Sequence, residues 1–233
     1  MTFLQLIDCR TDRFEEMNRL MDTWAEQTRG KRTATHEVVG RDRSDGAHFV
    51  EIVEFPSYEE AMRNSRLPET DRVFREMVAL CDGMPTFTDL DVVRDETFNA
   101  ETMRRFYEEV AVGGDIDVID ELYIPDHVDH DVAKEANTTV GRDVLKADVT
   151  RWREAFDFDF TLDRQVAEGD TVVTLWTWRG RHRGDFMGIA PTGRECTMTG
   201  TTVCRFQDGK IHESWWHYDI PRLMRELGAE ASA

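Results

Sequence analysis

Hydrophobic and polar positions in the first part of the chain recur with the two periods that distinguish strands from helices. The run FLQLID (3–8) is short and apolar, which predicts a strand. Residues 12–30 have apolar side chains at helical spacing and end at Gly30, which predicts a helix closed by a glycine. Residues 33–42 and 47–55 alternate on either side of the turn sequence DRSDG, which predicts two neighbouring strands.

A second predicted helix begins at a capping box, with Ser57 as N-cap and a glutamate three residues later. Its pattern is interrupted at Pro68 and then resumes, and FTDLDVVRD (87–95) predicts a final strand. The resulting order is β-α-β-β-α-β, the split βαβ pattern. We place a domain boundary in the polar stretch 94–100 that follows, where Asn99 is a plausible N-cap for the next helix.

The second part of the chain has helical patterns first and long alternating runs afterwards. Helices are predicted over ETMRRFYEEVAVGG, over DIDVIDELYI up to Pro125, and over residues 141–156, with a short strand, HVDHDVA, before the last of them. Four long strands follow, the last two joined by the hairpin signal QDGK, and IPRLMRELG predicts a closing helix. This order predicts an α+β domain in which a curved antiparallel sheet wraps around helices.

The last predicted strand contains HESWWHYD (212–219), which has polar and aromatic side chains on both faces. Because side chains alternate along a strand, two sets of four residues share a face each. Neither set is typical of plain core or of plain surface. The two sets are Glu213, Trp215, His217 and Asp219, and His212, Ser214, Trp216 and Tyr218.

Charge narrows the classes of partner. The net charge is −18, from 29 Lys and Arg against 47 Asp and Glu, which argues against nucleic acid and anionic membranes. No apolar run approaches the ~20 residues that span a bilayer. The N-terminal sequence lacks the features of a signal peptide, so we expect a cytoplasmic protein. The four cysteines show no CxxC spacing and are expected to be reduced, buried thiols.

Four stretches of the second part carry a family resemblance. DIDVIDELYIPDHVDHD, RGRHRGDFMGIAPTGREC, TGTTVCRFQDGKIHESW and LMRELG look like the SnoaL-like polyketide cyclase, or ester cyclase, family, in the right order over about residues 100–228. The resemblance implies the cone of the nuclear-transport-factor-2-like fold over residues 96–233, with a deep apolar pocket and no cofactor or metal. Better-known members of that family close the last ring of aromatic polyketides by intramolecular aldol condensation of an ester.

The first part has a resemblance of its own. Its element order, and the stretch AHFVEIVEFPSYEEAMRNS in particular, resemble the dimeric α/β-barrel family that includes the antibiotic-biosynthesis monooxygenases. This implies a ferredoxin-like domain over residues 1–95 that pairs its open sheet face with a second copy, so we expect a homodimer or a higher homo-oligomer. The domain serves either as a dimerisation scaffold or as a second ligand or active site, and no diagnostic residue set decides between them.

The cyclase resemblance also indicates where catalytic groups belong. Aldol cyclisation needs a carboxylate that takes a proton from the carbon beside the ester, and a donor that holds the enolate oxygen. In the family's aldol cyclases the carboxylate directly follows the tryptophan of an E-x-W motif, which Glu213 and Trp215 match. The next residue here is Trp216, and the partner histidine position falls at or near Thr202. The reaction therefore stays open between cyclisation, dehydration and isomerisation.

Four polar residues are the candidate catalytic groups: His182, Asp219, His130 and Tyr218. His182 lies in a stretch similar to the family's H-x-G-E-F motif, although a histidine at a strand end often has only a structural role. Asp219 is also well placed to cap the closing helix. The HVDHD cluster admits a metal site, but the resemblance implies none, and we expect none. The residues expected to contact substrate are Trp176, Trp178, Thr202, Trp216 and His217.

Three functions are consistent with these observations. The leading one is an enzyme of secondary metabolism that performs acid/base chemistry on a hydrophobic, oxygenated small molecule such as a polyketide. The second is a non-catalytic binding protein for an aromatic small molecule, which the absent carboxylate after Trp215 favours. The third is a monooxygenase-like N-terminal domain fused to a cyclase-like one.

Overall fold

The computed structural model describes residues 2–134 and 136–228. The chain divides into two compact units, residues 1–95 and residues 96–233. Each unit has its own sheet and its own hydrophobic core. Among the described residues, no helix combines the length and the apolar character that crossing a membrane requires.

The N-terminal unit has the predicted order of strands and helices, with its second helix divided in two. Its four strands form an antiparallel sheet in the order β2-β3-β1-β4. The ferredoxin-like and dimeric-barrel designations stay predictions. The elements are β1 (Phe3–Arg10), α1 (Phe14–Gln27), β2 (His36–Arg41), β3 (His48–Phe55), α2 (Tyr58–Ser65), α3 (Pro68–Leu80) and β4 (Thr86–Asp91).

Local sequence signals account for the helix ends in this unit. The Ser57 hydroxyl accepts the backbone N–H three residues on at 3.4 Å, so the predicted N-cap is confirmed. Pro68 is the first residue of α3, where its missing N–H leaves no hydrogen bond unmade. Helix α1 ends before Gly30, because Thr28 donates both its N–H and its hydroxyl to the Trp24 carbonyl and caps the helix there.

The two faces of the N-terminal sheet differ in what covers them. One face packs against the helices and supplies core residues such as Ile7, Phe49 and Val53. The opposite face carries apolar side chains that are only partly buried or exposed, on the two central strands and on both edge strands. These are Leu4, Leu6, Val38, Ile52 and Leu90.

The C-terminal unit is an α+β structure in which a six-stranded sheet packs against helices. The strand order is β6-β5-β10-β9-β8-β7. Its elements are α4 (Phe98–Arg105), a π-helix (Phe106–Val112), a 3₁₀ turn (Ile116–Val118), α5 (Ile119–Leu122), β5 (Tyr123–Asp131), β6 (Thr138–Val140), α6 (Arg142–Ala155), β7 (Phe156–Glu168), β8 (Thr171–His182), β9 (Glu195–Gln207), β10 (Lys210–Tyr218) and α7 (Ile220–Leu227).

Two expectations for this sheet and its first helix were wrong. The sheet is not wholly antiparallel, because β5 pairs in parallel with β10. A long connection through α6 and four strands separates these two strands, so a parallel pair needs no tight turn. Asn99 lies inside α4, and the N-cap is Thr97, two residues earlier.

A seven-residue π-helix continues α4 directly; it lies within the predicted helix 101–114, but its π geometry was not predicted. Such segments are rare and frequently occur at functional sites. Its last carbonyls, those of Ala111 and Val112, both accept hydrogen bonds from the Arg153 guanidinium of α6. Gly114 follows in a left-handed conformation, with φ of 83°, and lies against the same guanidinium. The arginine thus fixes the end of the π-helix against α6.

The hairpin between β9 and β10 follows its sequence signal. Asp208 and Gly209 both have positive φ, 52° and 76°, as a two-residue type I′ turn requires. The turn joins β9 to β10, and after a register shift between Ile211 and Glu213 Trp216 pairs with Thr202. This register brings the aromatic strand beside the strand that carries the family's histidine position.

The four cysteines are free, and Cys9, Cys196 and Cys204 are buried. Burial is the largest factor that raises the pKa of every one of these thiols, in the case of Cys9 to about 12. A thiol with a raised pKa is a poor nucleophile near neutral pH. None of the four therefore has the properties of a catalytic cysteine.

Candidate functional site

A pocket lies in the C-terminal unit, between the inner face of the sheet and the helices packed against it. Its empty volume is about 600 Å³, including the solvent at its mouth. The wall is mainly aromatic and aliphatic, and its polar groups are two aspartates and one tyrosine hydroxyl. The lining residues are Phe106, Ala111, Asp131, Leu145, Asp148, Val149, Trp152, Phe158, Phe160, Trp176, Trp178, Met198, Trp216 and Tyr218.

Two glycines make room for the indoles of β8. Trp176 and Trp178 are almost completely buried, at 2% and 1% exposure. A Cβ atom added to Gly200 would run into the Trp176 ring, and one added to Gly180 into the Trp178 ring. Both glycines lie in strands with ordinary φ, so the structure requires their small size and not their conformational freedom. The indoles can therefore lie close against the backbone and line the pocket.

Thr202 holds two of the surrounding rings. Its side chain is fully buried, and its hydroxyl oxygen accepts hydrogen bonds from the Tyr107 hydroxyl at 2.8 Å and from Trp176 Nε1 at 2.9 Å. Burial raises the pKa of Tyr107 well above its usual value, so this phenol remains a donor. Tyr107 belongs to the π-helix, which Thr202 thereby joins to the sheet.

Trp216 and Tyr218 of β10 both line the pocket, as alternation from the buried Ser214 predicts. The alternation does not extend to His212, which had been assigned to the same face. A register shift between Ile211 and Glu213 interrupts the pairing, and Ile211, with 0% exposure, takes the inner position instead.

Asp131 and Tyr218 form the polar pair of the pocket. The Tyr218 hydroxyl lies 3.0 Å from each carboxylate oxygen of Asp131. Burial raises the pKa of Asp131 above its usual value, although the Ala133 N–H and nearby Lys134 favour the charged form. Burial, together with the negative charge of Asp131, also raises the pKa of Tyr218. The tyrosine is therefore the donor, and Asp131 is a carboxyl group that can take up a proton.

Lys134 provides the positive charge of this region. Its ammonium group lies 2.7 Å from Asp129, 3.0 Å from Asp148 and 3.8 Å from Asp131, and its side chain is 12% exposed. Burial alone would lower the pKa of this lysine, but the neighbouring carboxylates outweigh burial and raise it. Lys134 is therefore charged, and its pairing with Asp129 and Asp148 leaves Asp131 as its more distant carboxylate neighbour.

A second chain of hydrogen bonds runs behind the pocket wall. Asp129 accepts from the Ser214 hydroxyl at 2.6 Å and from Trp216 Nε1 at 2.9 Å. Ser214 also contacts His127 Nε2 at 2.9 Å. Burial lowers the pKa of His127, so the imidazole is neutral near neutral pH. Asp129 is thus engaged in holding Trp216 and Ser214 in place, which distinguishes it from Asp131.

Similarity to a known protein family assigns the C-terminal unit. Residues 101–227 match the model of the SnoaL-like polyketide cyclase family, which is more than half of the chain. The chain belongs to the SnoaL-like polyketide cyclase family. Its C-terminal unit accordingly has the nuclear-transport-factor-2-like fold that the sequence predicted. The model does not extend to the N-terminal unit.

Individual relatives agree with the family assignment. Over 128 residues the chain is 28% identical to the aklanonic acid methyl ester cyclase AcmA of Streptomyces galilaeus, covering 54% of this chain and 88% of AcmA. The structure of TsrD from Streptomyces laurentii is 28% identical, with a TM-score of 0.52 over 59% of this chain and 99% of TsrD. A SnoaL-like protein from Jannaschia sp. CCS1, 24% identical, shares the fold with a TM-score of 0.54 over 61% of this chain and 99% of its own.

Among SnoaL-like cyclases the position after the E-x-W tryptophan was expected to carry the carboxylate, and here it is Trp216. The structure places a different carboxylate in the pocket, that of Asp131 on the neighbouring strand β5. Asp131 is the direct pairing partner of Trp216. A carboxyl group is therefore present beside the family position, although the sequence position itself carries an indole.

His182, the histidine of the family's common stretch, is fully buried at the end of β8 and does not line the pocket. Its Nδ1 accepts the backbone N–H of Thr192 at 3.2 Å, and its ring packs against Phe156 with centroids 5.0 Å apart. Its Nε2 has no hydrogen-bond partner within the described part of the chain. This geometry suits a histidine that fixes the loop between β8 and β9.

Three other predicted site residues also lie outside the pocket lining. His130 is on the outer face of β5, where Nε2 contacts Glu213 at 2.9 Å and the ring stacks on Trp215. His217 is exposed. Asp219 is exposed too, and its carboxylate accepts the backbone N–H of Arg222 at 2.9 Å, which makes it the N-cap of α7. The structure therefore gathers Trp176, Trp178, Trp216 and Tyr218 around the pocket, with Thr202 behind the wall.

Sequence reasoning missed Asp131, Lys134, Asp148 and Trp152. A signal for two of them existed, because Asp148 and Trp152 lie on the same face of α6 as the buried Leu145 and Val149, at helical spacing. A carboxylate on the apolar face of a helix needs a partner, and none is evident from local sequence. The described residues contain no group of three or more His, Cys, Asp or Glu side chains arranged to hold a metal ion.

Proposed function

We propose that the C-terminal unit is a cytoplasmic enzyme of secondary metabolism that closes a ring in a hydrophobic, oxygenated ester of the polyketide class. The observation that carries this proposal is the Asp131–Tyr218 pair in an aromatic pocket. A carboxyl group with a raised pKa and a hydroxyl donor at 3.0 Å are the two groups that cofactor-free enolate chemistry needs.

Asp131 acts first, in its ionised form, as the general base. It takes a proton from the carbon beside the ester carbonyl, and the electron pair of that C–H bond moves toward the ester oxygen. Protonation of Asp131 weakens its demand for the Tyr218 hydrogen bond, so the hydroxyl can donate to the enolate oxygen instead. The enolate carbon then attacks a ketone of the same molecule, and the proton held by Asp131 passes to the new alkoxide.

The pocket wall supports an aromatic substrate. Trp152, Trp176, Trp178 and Trp216 are all among its lining residues, and indoles offer large, rigid contact area to a planar ring system. Trp216 is held by its bond to Asp129, and Trp176 by its bond to Thr202, so both rings keep their positions when the pocket is empty. A preorganised wall orients the substrate relative to Asp131 without further ordering cost.

The test is turnover of aklanonic acid methyl ester, the compound in the name of the AcmA relative, followed by mass spectrometry and chromatography. The Asp131→Asn variant should lose about 10²–10⁴-fold in kcat/KM, the range of general base catalysis. The Tyr218→Phe variant should lose about 10²-fold, the range for one oxyanion donor. Asp126→Asn, an exposed carboxylate on the same strand, is the matched control and should retain wild-type turnover.

The pH dependence adds a second readout. Because only ionised Asp131 accepts a proton, the rate should rise with pH through the raised pKa of that group. The rising limb of the pH–rate profile should therefore lie at a higher pH than the usual pKa range of an aspartate, and Asp131→Asn should abolish this limb. Wild-type turnover by Asp131→Asn, or an unchanged limb in that variant, would overturn the assignment of the base.

A non-catalytic binding protein is the second candidate, and Trp216 is the observation that favours it. An indole at the family's carboxylate position adds apolar contact area where the family's aldol cyclases place their base. This candidate predicts that an aromatic ester binds, quenches tryptophan fluorescence and is recovered unchanged. Any product whose formation requires Asp131 would exclude it.

For the N-terminal unit we propose a dimerisation role. The open sheet face has exposed apolar side chains, among them Val38, Ile52 and Leu90, and these suit the same face of a second copy. Sedimentation of the whole chain should give a dimer, and Ile52→Lys should give a monomer. Glu76→Lys, at an exposed position of α3 and therefore away from the open sheet face, is the control and should stay dimeric.

A further inference from the structure

The N-terminal unit contains a cavity of its own, between the covered face of its sheet and helices α1, α2 and α3. Its empty volume is about 1000 Å³, including the solvent at its mouth. Most of the lining is apolar or aromatic, with Trp24, Phe55, Phe74 and Phe87 as its rings. Nothing in the proposed cyclase chemistry uses this cavity, which belongs to the other unit of the chain.

Two glutamates lie in this lining on neighbouring strands. Glu37 is on β2 and Glu51 on β3, on the sheet face that the helices cover, because they alternate with Val38 and Ile52 on the open face. Within residues 2–134 and 136–228 neither carboxylate makes a hydrogen bond or an ion pair. Both side chains are partly buried, and a carboxylate withdrawn from water without a partner has unused binding capacity.

Asn64 of α2 is a second polar group directed at the same space. It is 5% exposed and lines the cavity. Its carbonyl oxygen accepts a long hydrogen bond from the Thr33 N–H at 3.4 Å, but its amide nitrogen has no acceptor among the described residues. This nitrogen is not sealed from solvent, so it is free to donate a hydrogen bond to a polar group of a ligand in the cavity.

The charged side chains in the cavity lining are all acidic. Of the lining residues that the structure describes, Glu37, Glu51 and Asp71 are acidic and none is basic. Asp71 forms an exposed ion pair with Arg75, so it contributes little to the interior. Burial is the largest influence on the pKa of Glu37 and raises it; Arg32 and His36 lower this pKa, and Asp22 raises it. The charge of Glu37 in turn raises the pKa of Glu51. The cavity therefore favours a cation.

The shape of the lining favours an organic cation over a metal ion. Two carboxylates fall short of the three-residue groups that could hold a metal, and the described chain has no such group. An ammonium nitrogen needs only two or three acceptors, and the carbon skeleton attached to it would fill the apolar remainder near Trp24 and Phe74. An aromatic amine uses every part of this lining.

We propose that this cavity binds a primary organic ammonium ion with an apolar or aromatic body, whose nitrogen donates hydrogen bonds to Glu37 and Glu51. The inference is independent of the cyclase proposal, since it concerns another unit and another class of ligand. It gives the N-terminal unit a ligand-binding role in addition to any role in dimerisation.

Binding has a protonic signature. Burial, and secondarily the charge of Glu37, raise the pKa of Glu51 to about 8, so the empty cavity holds Glu51 protonated at neutral pH. An ammonium ion favours the ionised carboxylate, and the acidic proton of Glu51 then leaves for the buffer. The amine should therefore bind more tightly as pH rises toward about 8 and should release a proton below that pH.

The experiment is calorimetric titration of the full chain with phenethylammonium chloride, with phenethyl alcohol as the neutral analogue. Titrations in phosphate and in HEPES at neutral pH measure the proton released, since these buffers differ in ionisation enthalpy and neither is a primary ammonium ion. Glu51→Gln and Glu37→Gln should each weaken binding of the amine by about tenfold or more, the range for hydrogen bonds to charged groups. Glu54→Gln, on the open face of the same strand, is the matched control.

The expected result is saturable binding of the amine with proton release that Glu51→Gln abolishes, and weaker binding of the alcohol. Glutamine has the shape of glutamic acid, so unfolding is not expected, and thermal melts of each variant establish that. Equal binding of amine and alcohol, undetectable binding of the amine, or an equal loss in Glu54→Gln would each overturn the proposal. Competition by magnesium chloride at equal concentration would show a metal site instead and would also overturn it.

Discussion

The pocket of the C-terminal unit and the cavity of the N-terminal unit both place carboxylates among apolar side chains, but different groups face those carboxylates. In the pocket, Lys134 forms ion pairs with two aspartates, and a tyrosine hydroxyl donates to Asp131. In the cavity, Glu37 and Glu51 have no such partner within the described residues. The first region compensates its buried charge internally, and the second does not.

The difference teaches what each region is ready to do. A carboxylate that already has a donor keeps its position when the site is empty, and its remaining freedom is to accept a proton, which suits catalysis. A carboxylate without a partner is costly to ionise until a ligand supplies the opposite charge, which suits recognition of a cation. The two units thus use the same side-chain chemistry in opposite ways.

The largest expected effect comes from removing the compensating charge of the pocket. Lys134→Met keeps the aliphatic stem but leaves Asp129 and Asp148 buried without their cation. Loss of one partner of a buried ion pair costs about 3–5 kcal/mol, so the free energy of unfolding of the C-terminal unit should fall by that amount. Chemical denaturation followed by tryptophan fluorescence measures it, since Trp24 is the one tryptophan of six outside this unit.

Lys146→Met is the matched control for that loss. Lys146 forms an ion pair of similar length, 2.8 Å, with Asp120, but that carboxylate is half-exposed. Exposed pairs contribute about 0–1 kcal/mol, so this variant should unfold nearly as the wild type does. If both variants lost the same free energy of unfolding, burial of Lys134 would not increase its contribution to stability.

In the N-terminal cavity, removing a charged group should raise the free energy of unfolding instead of lowering it. The pKa of Glu51 is raised to about 8 by burial, whereas the unfolded chain ionises it near 4.5. Between these values the folded protein holds a proton that the unfolded chain has lost, so stability falls as pH rises through this window. Above about pH 8 the wild type therefore bears the full cost of an ionised, unpartnered carboxylate.

Glu51→Gln removes that cost and should stabilise the N-terminal unit at alkaline pH. The gain should be on the order of 2 kcal/mol, discounted for the part of the side chain that reaches solvent. Below about pH 4.5 both proteins carry a neutral side chain, and the difference should vanish. Calorimetric melts across this pH range measure both limits, with Glu54→Gln as the control. A constant difference at all pH values would show that Glu51 ionises normally.

Most of the fold could be predicted from local patterns. The Ser57 cap, the break at Pro68 and the Asp208–Gly209 turn each depend on residues within a few positions of one another, and the structure confirms all three. The parallel pairing of β5 with β10 and the π-helix depend on contacts between distant segments. No periodicity encodes such contacts, and sequence reasoning could not supply them.

The candidate site was predictable only in part, for the same reason. Alternation identified the inward side of β10 and hence Trp216 and Tyr218, because the period of a strand is local. Asp131 was visible in the HVDHD cluster, but its pairing with Tyr218 joins residues 87 positions apart. The alternation along a strand predicts which side of the sheet a residue faces, but not which residue it contacts. The sequence therefore could not show whether His130 or Asp131 belongs to the candidate site.

Asp219 offers the smallest effect and completes the contrast, since it is an exposed carboxylate whose partner is a backbone N–H. Asp219→Ala should lower the free energy of unfolding by about 1 kcal/mol, because α7 loses its N-cap. Asp219→Asn should cost only a few tenths, since asparagine caps as well as aspartate. Neither change should alter turnover once folding is allowed for, as the side chain is outside the pocket. Lost turnover in a stably folded Asp219→Asn would instead transfer the acid/base role from Asp131 to the end of β10, where the sequence places Asp219 as a candidate catalytic group.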